Sequence, residues 1–104
     1  MPDAEEIRDY LDKSGDTGYR WNLPCAEFAG GWYNFSVNEE ERSFVIWQAY
    51  GKAKAIKAHA VNLAHHFGCE RIIYVANTRG EASARLFGGK VLGTLIEVPL
   101  WDQR

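Results

Sequence analysis

The sequence predicts a single mixed α/β (α+β) domain built around a strand, a long helix and a second strand. Three observations predict it. The run "RSFVIWQAY", residues 42–50, is apolar on both faces, with Phe44 and Ile46 against Val45 and Trp47, as a central strand covered on both sides requires. After Gly51 the apolar residues adopt helical spacing, Ile56, Ala60, Leu63 and Phe67, and Gly68 ends the run. "RIIYVAN", residues 71–77, is then a short apolar strand. A crossover of this kind sets its two strands parallel and close together, and the ligands of such sheets bind beyond the carboxyl ends of the strands. Residues 48–54 occupy that edge.

The flanking elements follow from local signals. "DAEEIRDYLDKSG" reads as an amphipathic helix with Asp3 as N-cap, acids in the first turn, Ile7, Tyr10 and Leu11 on one face, and Gly15 at its close. The next stretch, through Gly30, mixes Gly, Pro and polar residues without a period and predicts loop, with one short strand over residues 26–29. "GWYNFSV" alternates Tyr33, Phe35 and Val37 with Trp32, Asn34 and Ser36, and "NEEE" turns it into the central strand as a hairpin. After residue 77, "EASARLFGG" predicts a brief helix and "KVLGTLIEVPLW" one last strand stopped by Pro99. The predicted order is α-β-β-α-β-α-β, with no internal repeat and no linker, so residues 1–104 form one domain.

Composition bounds the function. Hydrophobic residues make up 46% and aromatics 13%, enough for a core without a metal or disulfide staple. Cys25 and Cys69 stand in no CxxC or zinc spacing, which points to reduced thiols. No secretory segment opens the sequence and no apolar run approaches a membrane span, so the expectation is a cytoplasmic protein without membrane contact. Charge is uneven: residues 1–41 hold ten acids and three bases, residues 42–104 nine bases and four acids. An anionic ligand favours the second part; mutual compensation across a shared surface is the alternative.

The second part contains an electrostatic inversion. Helices open on Ser, Thr, Asp or Asn, with acids near the positive end of the dipole, yet "QAYGKAKAIK" opens its helix with Gly51, Lys52 and Lys54, followed by Lys57. An anion held by free backbone N–H groups and by these lysines would resolve it.

The spacing Gln48, Gly51, Ala53 fits Q/R-x-x-G-x-G/A, and here the sequence resembles the Gcn5-related N-acetyltransferases, the GNAT family. "NTRGEASARLFGGKVLGT" can also be laid without gaps, from Asn77 through Gly88 to Gly93, on that family's N-x-x-A-x-x-L-Y-x-x-x-G-F-x-x-x-G segment. The resemblance implies a GNAT-like mixed sheet, with the pyrophosphate of acetyl-coenzyme A on Gln48, Ala49, Tyr50, Gly51, Lys52, Ala53, Lys54 and Asn77. It also implies acetyl transfer to an amine. In this register Gly80 takes the small-residue place, Ser83 the Leu, Ala84 the Tyr that serves the family as general acid, and Gly89 the aromatic. Val-x-Pro before the loop is missing and the N-terminal part is short. Tyr50 and Tyr74 are the candidate substitutes for the acid; Glu27 and the cluster Glu39, Glu40 and Glu41 are the nearest candidates for a base.

Three readings stay open. The first is an acyl-coenzyme A-binding domain that acylates an unknown amine. The second is an inactive GNAT-like binding or assembly protein, resembling small phage-encoded ones, with a protein partner or a second copy meeting Trp32 or Trp101. The third is a single-stranded nucleic-acid binder using Trp32, Tyr33, Phe35, Trp47 and Tyr50, against which the net acidity and the element order weigh. His65 and His66, with Cys69 one turn on from His65, have no evident fourth ligand, so no metal is expected.

Overall fold

The computed structural model describes residues 2–75, 90–92 and 95–100. Helix α1 spans Ala4–Ser14 between the two caps expected from sequence: the Asp3 carboxylate accepts from the Glu6 N–H at 2.8 Å, and Gly15, at φ 73°, donates to the Leu11 carbonyl. A loop leads to β1 (Cys25–Phe28), one residue earlier than the strand predicted there. A turn through Gly30, at φ 91°, opens β2 (Gly31–Asn38), and the β2–β3 hairpin closes on β3 (Ser43–Tyr50). Helix α2 (Ala53–His66) crosses to β4 (Arg71–Val75), which pairs parallel with β3.

The last strand is predicted as one and found as two. Strands β5 (Lys90–Leu92) and β6 (Leu95–Pro99) pair antiparallel, with Leu92 opposite Leu95. The two residues that separate them in the chain, 93 and 94, lie outside the described residues. The sheet is mixed and six-stranded, in the order β1-β2-β3-β4-β6-β5, with β6 antiparallel to β4. The helix expected over "EASARLFGG" lies outside the described residues.

The two faces of the sheet are built differently. On one, α2 lays Ile56, Ala60 and Ala64 over Tyr33, Phe35, Phe44, Ile46, Ile72 and Val98. The expected helix stripe is rotated slightly: Ala64 is buried, Leu63 is half-buried and Phe67 is exposed, because the two alanines let the helix close onto the strands. The other face carries α1 and the loop after it, with Trp32 packed edge-on against Tyr10 and Tyr19 and stacked on Tyr50.

A β-bulge separates these faces along β3. Phe35 pairs with Ile46, but Asn34 pairs with Gln48, so Trp47 is the extra residue. The predicted alternation of Phe44 and Ile46 against Val45 and Trp47 holds up to this point. Beyond it, Gln48 joins Asn34 instead of continuing on the side of Ile46. Among the described residues no helix is long and apolar enough to cross a membrane.

Candidate functional site

Past the bulge, β3 runs into the N-terminus of α2 at the corner where the sequence places its anion. Lys52 is the N-cap residue; its backbone is extended, its side chain makes no capping hydrogen bond, and the first turn holds no acid. Such a turn presents unsatisfied N–H groups and a positive potential. Beside it opens a cavity of about 420 Å³ whose walls come from α1 (Tyr10, Lys13, Ser14), the β1–β2 turn (Gly30) and the corner itself (Ala49, Tyr50, Gly51, Lys52).

Four of the predicted ligand residues, Ala49, Tyr50, Gly51 and Lys52, therefore line one space. Two more lie just past it: Ala53 packs against the core and Lys54 is exposed on the first turn. Asn77 lies outside the described residues. The Gln48 side chain does not join those four. Its side chain is 2% exposed and its hydrogen-bonding capacity is spent within the protein: Nε2 donates to Asp16 Oδ2 (2.9 Å) and to the Gly18 carbonyl (2.7 Å), while Oε1 accepts from the Arg20 N–H (2.9 Å) and from Asn34 Nδ2 (2.7 Å). The bulge turns this side chain under the loop, where it latches residues 16–20 to the sheet.

Gly51 is also used otherwise than expected. It stands at φ 122°, and a Cβ there would lie 2.8 Å from the Gly30 carbonyl oxygen, while a Cβ on Gly31 would run into the Tyr50 carbonyl oxygen. The small residues of this corner let two segments of the protein's own backbone approach, before any question of a phosphate arises.

Sequence reasoning missed the contribution of α1. Asp9 Oδ2 accepts from the Tyr50 hydroxyl at 2.5 Å and from Lys13 Nζ at 2.9 Å, and Lys13 Nζ lies 5.8 Å from the centre of the Tyr50 ring. The Tyr50 hydroxyl, and then Lys13, hold the Asp9 carboxyl below its ordinary range, and Asp9 in turn raises both Lys13 and Tyr50. In sequence Asp9 and Lys13 read as an ordinary i,i+4 helix pair; nothing local signals that this pair faces the β3–α2 corner.

Of the candidate acids and bases, Tyr50 lines the cavity and the others fall elsewhere. Tyr74 belongs to the core on the α2 face, away from Tyr50, and burial pushes its hydroxyl up. Its pairing with Ile46 is the last of the β3–β4 ladder; among the described residues, 47–50 of β3 have no partner in β4. Glu39, Glu40 and Glu41 are exposed in the β2–β3 turn, at the opposite end of β3 from the cavity. Glu27 is exposed on β1, in the row of Trp32 and Tyr50. Ala84 lies outside the described residues. Trp32, proposed as an exposed contact, is 1% exposed beneath α1, because its ring fills the space between Tyr10, Tyr19 and Tyr50; Trp101 lies outside the described residues. Among the described residues, no group of three or more His, Cys, Asp and Glu side chains is placed to hold a metal ion, and both cysteines are free thiols.

No family model matches the chain, and neither a curated protein nor a solved structure resembles it significantly.

Proposed function

We propose that the chain is a GNAT-like acyl-coenzyme A-binding domain that receives the coenzyme's diphosphate at the β3–α2 corner. One observation carries the reading: the uncapped, acid-free N-terminus of α2 adjoins a cavity walled by Lys13 and Lys52. The N–H groups of the first turn and the ammonium groups of Lys13, Lys52 and Lys54 supply donors and positive charge for a diphosphate. Among the described residues, 47–50 of β3 have no partner in β4, and such an edge is suited to the extended amide chain of a pantetheine arm, which can hydrogen-bond to a strand as a peptide does. The coenzyme's thioester would supply an acetyl group to an amine acceptor.

Calorimetric titration with acetyl-coenzyme A tests the reading. Binding in the wild type and its loss in the Lys52→Glu/Lys54→Glu double variant, with the melting temperature preserved, is the expected result; absence of heat at millimolar ligand overturns it. Release of free thiol with a panel of amines then separates a transferase from a binding module.

A second reading, the assembly protein, is favoured by a different feature. Pro2, Ala4, Ile7, Arg8, Leu11 and Trp21 line a mostly apolar hollow of about 420 Å³ on another side of α1, and Trp21 is 63% exposed. The nucleic-acid reading has less support, since Trp32, Tyr33 and Phe35 are buried and offer no ring face for a base to stack on.

A further inference from the structure

We infer that Asp9 is an internal competitor for the anion site: its carboxylate holds Lys13 and the Tyr50 hydroxyl at the cavity wall, and a bound diphosphate takes over those two donors. The inference rests on the diphosphate reading and adds the regulation of that site. Both donors converge on one oxygen, Asp9 Oδ2, at 2.9 and 2.5 Å, and both side chains line the cavity. The arrangement is that of a small anion site filled by the protein's own carboxylate.

The linkage is loose enough to exchange. The Lys13 side chain is 72% exposed and that of Asp9 39%, so their pairing is an exposed ion pair that a multiply charged ligand can outbid. Lys13 is in the last turn of α1, one helical turn from Asp9, and swings about a flexible four-carbon stem. Tyr50 is positioned independently by its stacking on Trp32, so its hydroxyl keeps its place when the carboxylate lets go. Three consequences follow: α1 belongs to the ligand site, a diphosphate binds against the cost of displacing Asp9, and removing that negative charge strengthens binding.

Titration of wild type, Asp9→Asn, Lys13→Gln and the double variant with coenzyme A, and with pantetheine as a ligand lacking the diphosphate, tests this. Asn keeps an acceptor for Tyr50 while losing the charge, and a melting curve verifies that each variant is folded. Asp9→Asn should tighten coenzyme A by up to about fivefold, the upper end for one exposed charge pair. Lys13→Gln should weaken it, and by more in the Asp9→Asn background, where the ammonium is released. Pantetheine affinity should not move. Coenzyme A binding that Asp9→Asn leaves unchanged or weakens, or a shift equal for both ligands, overturns the inference while the diphosphate reading stands. A wild type that does not bind coenzyme A overturns both.

Discussion

The two faces of the sheet solve the same burial problem with different chemistry. Under α2, Tyr33, Phe35, Phe44, Ile46, Ile72 and Val98 meet Ile56, Ala60 and Ala64 in an apolar layer. Under α1, rings and hydrogen bonds share the work: Tyr10, Tyr19, Trp32 and Tyr50 pack together, and buried Gln48 and Asn34 form a hydrogen-bonded chain with half-buried Asp16 beside them. Apolar packing needs no partners, whereas each buried polar group left without one costs free energy. The cavity lies on the second side, beside Lys13, Tyr50 and Lys52.

Substitutions can break this contrast. The largest expected effect is on the α2 side: Phe44→Ala should cost about 3–5 kcal/mol and lower the denaturation midpoint of the whole domain in one transition. On the α1 side, Gln48→Leu removes the partners of the Arg20 N–H and Asn34 Nδ2 and should cost about 1–3 kcal/mol. Its signature is local. Limited proteolysis should cut after Arg20 well before global unfolding, and equal protection of the loop in wild type and variant would show that the latch does not hold it. Asp3→Ala should cost about 1 kcal/mol by uncapping α1, read as a small shift in urea midpoint.

Titration sharpens the same contrast with the smallest effects. Asp9 has a lowered carboxyl, so its contribution is present above its ordinary pKa of 3.8 and is lost as pH falls through the lowered folded value. Acid should therefore disturb the tryptophan fluorescence of the α1 side, and Asp9→Asn should remove that step. Tyr33 and Tyr74, on the α2 side, are raised by burial, so their contribution is complete below the ordinary 10.0 and is lost as pH climbs beyond it. Tyrosinate absorbance from these two should appear only with alkaline unfolding.

How far each part was legible depends on whether its signal is local. Caps at Asp3 and Gly15, the helix that follows Gly51, and the alternation of β2 are written in neighbouring residues, and the structure places them as expected. The direction of the Gln48 side chain is not legible in sequence, because a one-residue bulge at Trp47 has no signature in an apolar run, yet it turns the following side chain to the other face. The join of α1 to the corner was invisible for another reason: Asp9 and Tyr50 are 41 residues apart, and each already has an ordinary local reading.

By itself, the sequence determined the mixed class, the parallel β3–α2–β4 unit and an α2 that opens on lysines with no acid in its first turn. These follow from periodicity, chain connectivity and the identity of adjacent residues. Only the tertiary structure decided that Gln48 is a latch, that Gly51 makes room for the Gly30–Gly31 backbone, and that Lys13 shares a cavity wall with Tyr50 and Lys52 while Asp9 holds the Tyr50 hydroxyl. Each of those depends on two segments distant in the chain being brought within a few ångströms, and the free energy that brings them there comes from the burial of the whole sheet rather than from any motif.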